Sequence, residues 1–164
     1  MDRRRLAVPA LLALGVGIAV VLAFAPGLLT GLEYDRTTVT AVDANGTELD
    51  TIDVRVADTY WKRYTGLSDA DRLPDGEGML FVHPGGGEHA YVMRGMAFPL
   101  DIVFVAADGT VTRVHHAELP PAGTSGGDLT RYRGTGTYVL EVPYGYTNET
   151  GIDAGDRIVI GGEY

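Results

Sequence analysis

The chain contains no cysteine, one lysine and one tryptophan among its 164 residues. Without cysteine there is no disulfide framework, no thiolate nucleophile and no Cys-ligated metal, and no lipid can be attached through that residue. A stable domain must then rest on buried apolar surface, which a hydrophobic content of 45% allows. Positive charge is also scarce, with 13 basic residues against 22 acidic ones and a formal charge of −9. Binding a phosphate backbone needs clustered Lys and Arg, so nucleic acid is not expected as a partner. An acid-rich chain whose single lysine is Lys62 suits a halophilic setting, where carboxylates stay hydrated and salt screens their repulsion. Recognised catalytic arrangements are missing too. No serine lies in a nucleophile-elbow context, and no glycine-rich loop leads into a helix to cradle phosphate.

Charge is absent altogether from residues 6 to 32, directly after Arg3, Arg4 and Arg5. That run exceeds the roughly 20 residues needed to cross a bilayer. A cleaved signal peptide is the competing reading, with Ala23-Phe24-Ala25 as the cleavage site in outline. Pro26 would hinder the peptidase there, and the run continues through Leu28, Leu29 and Leu32. We therefore expect a signal anchor over residues 1–32, with the arginines cytoplasmic and a domain over residues 33–164 outside the cell membrane. Secretion after cleavage is the alternative. Setting aside Asp2 and the three arginines leaves 10 basic and 21 acidic residues on that domain, a formal −11.

The domain reads as mostly β. Met79-Leu80-Phe81-Val82 and Ile102-Val103-Phe104-Val105 are short apolar runs bounded by Gly and Pro, the pattern of strands buried on both faces. Asn45-Gly46 and Asp108-Gly109 mark hairpin turns. Thr59 to Thr65 forms a short helix, capped by Asp58 and stopped by Gly66, with Trp61 and Tyr64 pinning it to the sheet. His83 to His89, with three glycines between, reads as a flexible connection. Residues 117 to 136 read as a loop that can serve as a rim. Further strands are expected at Tyr138 to Val142 and Arg157 to Ile160, with Asp156 capping loop amides.

Several spaced motifs carry a resemblance. Val56-Ala57-Asp58-Thr59 with Arg63, Gly66 and Leu67 comes first. Gly78-Met79-Leu80-Phe81, Met93-Arg94, Pro99-Leu100-Asp101-Ile102 and Asp108-Gly109 follow, then Tyr138 to Pro143, Gly145 and Gly155-Asp156-Arg157. Together they resemble domain-of-unknown-function family 192, also called uncharacterised protein family 0127, over about residues 54 to 160. The resemblance implies a compact jelly-roll-like β-sandwich or barrel with one short helix, and no established activity. Val92 stands where the family usually has Trp, Gly95-Met96 where it has Asn-Thr, and Ser68 where it has Met.

The chemistry rests on carboxylates and arginines. Asp101 and Arg94 flank the apolar centre and are expected to pair, since a charge beside a core needs a partner. The ligand-binding candidates are Asp58, Arg63, Met93, Arg94, Asp101 and Glu141. His83, Glu88 and His89 do not match a recognised metal-ligand spacing, and His115 and His116 alternate across a strand, so neither a metal nor another cofactor is expected. The first functional expectation is a membrane-anchored binding or accessory module of the cell envelope. Its partners would be the membrane and a small molecule or envelope component. The second is a hydrolase of envelope glycans with Asp101 and Glu141 as acid and base, and the third a purely structural envelope component.

Overall fold

The computed structural model describes residues 33–162 and 164. The expected anchor over residues 1–32 lies outside them. Among the described residues no helix is long and apolar enough to cross a membrane.

The mostly-β expectation holds. Among the described residues seven strands form one curled sheet in the order β5-β4-β6-β3-β2-β1-β7. They are β1 (Asp35–Val42), β2 (Glu48–Ala57), β3 (Glu77–Tyr91), β4 (Leu100–Val105), β5 (Val111–Ala117), β6 (Tyr132–Pro143) and β7 (Arg157–Ile160). All neighbours are antiparallel except β2 and β3, which run parallel. The β2 to β3 crossover contains α1 (Tyr60–Thr65), and a second short helix, α2 (Tyr146–Thr150), follows β6. Among the described residues this is one α-helix more than the sequence suggested. The sheet curls far enough for its two ends to touch: Thr110 bridges Arg157, and the Val111 amide donates to the Asp156 carbonyl at 2.8 Å.

Alternation divides the buried side chains between the two faces. Val39, Ile52, Val54, Leu80, Val103, Val105, Val111, Leu140, Val142 and Ile158 form one cluster, to which all seven strands contribute. Met79, Phe81, Leu100, Ile102, Phe104 and Val139 form the other, covered by Leu67 and Met93 from the connections. All six residues of β4 are buried, because it lies between β5 and β6 with both faces covered. This is the strand that the Ile102 to Val105 run predicts.

The turns follow their chemistry. Asp43 Oδ1 accepts from the Asn45 and Thr47 amides at 2.8 Å each, and Gly46 takes the left-handed φ of 87° that closes the β1–β2 hairpin. Asp108 accepts from the Thr110 amide at 3.0 Å in the β4–β5 hairpin. Asp156 holds the Asp153 amide at 2.7 Å, the capping role expected of it.

Four local expectations are corrected. The stretch from His83 to His89 is strand, not a flexible connection. β3 pairs with β6 before and after a bulge in which Val82 faces Tyr138 and Gly87 faces Gly136, so His83 to Gly86 bulge out opposite Thr137 alone. Residues 132 to 136 likewise belong to β6, because Gly134 lets β6 pass beneath Phe104; a Cβ on Gly134 would sit 2.3 Å from the ring. The helix cap is Thr59, whose hydroxyl accepts from the Lys62 amide at 3.3 Å, while Asp58 pairs with Lys62 Nζ at 3.0 Å. Its aromatics do not pin α1 to the sheet, and no residue of α1 is buried.

Candidate functional site

Glu141 is a buried acid for which the packing supplies no partner. It lies on β6 opposite Met79 of β3 and Ile102 of β4, between two apolar strands, and is 7% exposed. No described residue donates a hydrogen bond to its carboxyl. Desolvation alone raises its pKa from 4.5 to about 8, so the group is largely protonated at neutral pH.

Above it opens a cavity of about 290 Å³. Its walls come from the turn after α1, with Gly66, Leu67 and Ser68, from Phe81 and the β3 bulge, and from Val92, Arg94 and Met96 in the connection to β4. Gly66 takes a φ of 53°, and a Cβ there would meet the Phe81 ring at 3.2 Å, so glycine lets the turn close onto the sheet.

The bulge supplies the polar wall. It folds the strand so that the His83 and His89 rings stack with centroids 3.6 Å apart. His89 Nε2 lies 3.1 Å from the Gly136 carbonyl, an acceptor, so that nitrogen carries the proton. His83 Nε2 lies 3.0 Å from the Tyr91 hydroxyl. Burial, then the neighbouring His89 and Arg63, lower the pKa of His83 to about 4, and the ring is neutral in ordinary conditions. Burial also raises the pKa of Tyr91, whose ring meets Phe81 and Phe104 edge-on.

Two guanidinium groups complete the rim. Arg63 Nη1 donates to the carbonyls of Asp58 at 2.6 Å and Val82 at 2.8 Å, tying α1 to β3. Arg94 Nη2 donates to the Tyr64 carbonyl at 2.9 Å while its guanidinium lies 4.2 Å from the centre of the Tyr64 ring. Each fixes backbone on one side of the cavity and retains further N–H groups.

Of the sequence-based candidates, Arg63, Arg94 and Glu141 therefore meet at one cavity. Met93 is buried in the adjoining apolar cluster and borders a separate cavity of about 180 Å³ beside Leu119 and Tyr132. Asp58 stands at the start of α1 with Lys62, whose hydrogen bond lowers its pKa.

Asp101 does not pair with Arg94. Its carboxyl is fully buried on the opposite face of β4 from Ile102, where Oδ1 meets His116 Nδ1 at 2.7 Å and the Gly145 amide at 3.1 Å. Oδ2 accepts from the Thr147 amide at 2.9 Å and hydroxyl at 2.7 Å. The strand register dictates this arrangement: Asp101 faces His116 across the β4–β5 pair and Val142 across the β4–β6 pair. Glu141, opposite Ile102, consequently belongs to the other face. The two carboxyls share no cleft, so the acid–base pair suggested for a hydrolase is not assembled. Asp101 instead ties β4 and β5 to the start of α2.

Sequence reasoning missed His83, His89 and Tyr91 as parts of the site. Their signal was the mixture of histidines and glycines after an apolar strand, which also suits a loop. No group of three His, Cys, Asp or Glu residues arranged to hold a metal occurs among the described residues.

Fold and site together define a curled, mostly-β domain with an orphan carboxyl at the base of a small, arginine-rimmed cavity. The sequence matches domain-of-unknown-function family 192, described as an "Uncharacterized ACR", over residues 40–160, and the chain belongs to that family. Two solved structures are similar. A protein of Sinorhizobium meliloti 1021, provisionally described as a transcription regulator, is 26% identical with a TM-score of 0.70, over 80% of this chain and 98% of that one. A protein of unknown function from Novosphingobium aromaticivorans DSM 12444 is 28% identical with a TM-score of 0.65, over 80% and 88%. Comparison with curated proteins finds no match.

Proposed function

We propose that this protein is a binding module of the cell envelope, anchored by residues 6–32, that seats a small polar ligand on Glu141. The observation carrying this reading is the carboxyl of the buried residue Glu141, which opens onto the cavity and takes no hydrogen bond from a described residue. A buried polar group without a partner costs about 1–3 kcal/mol, and a ligand that supplies the missing hydrogen bond recovers that cost on binding. At about 290 Å³ the cavity is at the small end of ligand sites, which limits the ligand to roughly the size of a metabolite. Protonated Glu141 donates to a ligand carbonyl or hydroxyl. Arg63 and Arg94 favour an acceptor or an anion at the rim, and Phe81, Leu67 and Met96 offer apolar walls.

Among the described residues no second carboxyl lines this cavity, and the Ser68 hydroxyl in its wall donates to the Thr65 carbonyl at 2.6 Å, which favours binding over hydrolysis by a carboxylate pair. Transcription regulation by direct contact with DNA does not suit a domain with a formal charge of −11. The finer architecture implied by the resemblance, a jelly-roll-like sandwich or barrel, is compatible with a single sheet curled until its ends meet.

The test is a thermal-shift screen of small polar metabolites against the wild type and Glu141→Gln and Glu141→Leu variants, near pH 6. A compound that stabilises the wild type, binds the Gln variant more weakly and leaves the Leu variant unmoved supports the reading. A ligand that binds all three proteins equally defeats it.

A further inference from the structure

The aromatic side chains of α1 have no cover within the domain. Tyr60, Trp61 and Tyr64 are 65%, 64% and 53% exposed, on a helix that buries none of its residues. They pack on one another, with Tyr60 edge-on to Trp61 at 5.2 Å and stacked on Tyr64 at 6.3 Å. A contiguous patch of this kind marks an interaction surface.

Tyr34 fixes the position of the patch. Its hydroxyl donates to the Lys62 carbonyl at 3.4 Å, its ring lies 5.9 Å from Lys62 Nζ, and the same Nζ reaches Asp35 at 3.4 Å. The helix is thus held against the first residues of the domain. Tyr34 is two positions after Leu32, which ends the uncharged run, and two residues span at most about 7 Å.

We propose that Tyr60, Trp61 and Tyr64 dock into the interfacial layer of a phospholipid bilayer, beside the point where the chain enters it. The inference rests on the anchor reading above. Tyr and Trp suit that layer because the ring body enters the acyl boundary while the O–H or N–H remains among headgroups and water. Charge around the patch does not oppose docking. Asp58 and Asp35 are both paired with Lys62, and exposed Arg94 lies over Tyr64 where a lipid phosphate would meet it. Tyr64 and Arg94 also line the Glu141 cavity, so docking sets the cavity rim at headgroup depth.

Trp61 is the only tryptophan, so its fluorescence reports on this patch alone. The experiment reconstitutes the full chain in phosphatidylcholine vesicles with plain or brominated acyl chains, and washes a parallel sample with alkaline carbonate. The expected result is a retained protein with blue-shifted emission that brominated lipid quenches by about half or more, and weaker quenching in a Tyr60→Ser/Tyr64→Ser variant. Retained protein with unquenched Trp61 overturns docking while leaving the anchor standing. Release by carbonate overturns the anchor and, with it, the docking. Emission that is blue-shifted but unquenched, and that depends on protein density, assigns the patch to a second copy of the chain and also overturns docking onto lipid.

Discussion

Replacing Glu141 by Gln tests the central physical claim without reference to any ligand. The folded domain holds the Glu141 proton up to about pH 8, whereas the unfolded chain releases it near 4.5. At about 1.4 kcal/mol per tenfold in proton affinity, the difference corresponds to about 5 kcal/mol across that window. The sign follows from proton counting. Between the two values the folded state binds more protons, so this contribution is fully present below pH 4.5 and declines as pH rises through 8. His83 acts in the opposite sense, since its folded pKa of about 4 lies below the ordinary 6.5. Its contribution is present above 6.5 and is lost as pH falls toward 4. From about pH 4.5 to 6.5 the two slopes oppose each other, and from 6.5 to 8 only the Glu141 slope remains. Urea unfolding of the wild type should then show a plateau followed by a fall of about 2 kcal/mol between pH 6.5 and 8. The Gln variant keeps the size and the hydrogen-bonding capacity of the neutral acid but cannot ionise. It should gain stability from pH 4.5 to 6.5 and stay level above. Parallel pH profiles for the two proteins would mean that Glu141 is ionised and solvated in the folded state, and the reasoning would fail.

Asp101→Ala should lower stability by about 3 to 5 kcal/mol, because it strands buried donors on Thr147 and Gly145. Arg94→Ala should cost about 1 kcal/mol or less, since Arg94 contacts only exposed groups; equal losses in urea unfolding would restore the pairing that the structure rejects. Gly134→Ala should destabilise by about 1 to 3 kcal/mol by displacing the Phe104 ring, and a melting temperature equal to that of the wild type would show that β6 can move aside. If the acidic surface is an adaptation to salt, the melting temperature should fall as potassium chloride drops from molar levels toward about 0.1 M. A flat salt profile would remove the halophilic reading.

What the sequence determined by itself is the local pattern and the family. The apolar run at Ile102 to Val105 became a strand buried on both faces, and Arg157 to Ile160 became β7. Asn45-Gly46 and Asp108-Gly109 lie in hairpin turns as expected, with Gly46 and Gly109 alone taking the positive φ. These features depend on residues within a few positions of one another, so a linear reading reaches them. Partnership was decided by the tertiary structure. Arg94 is closer in sequence to Asp101 than His116 or Thr147 is, yet the β4–β5 register delivers His116, and the chain after β6 returns 46 residues away to deliver Thr147. The histidine–glycine stretch became strand because β6 offered it a ladder, and no local signal records that offer. Alternation placed Glu141 on the same face as Val139. That this face is covered by the turn after α1 and walled by a bulge depends on where distant segments come to rest. Long-range strand pairing, which fixes register and face together, therefore made the site from residues whose local signals suggested only strands and loops.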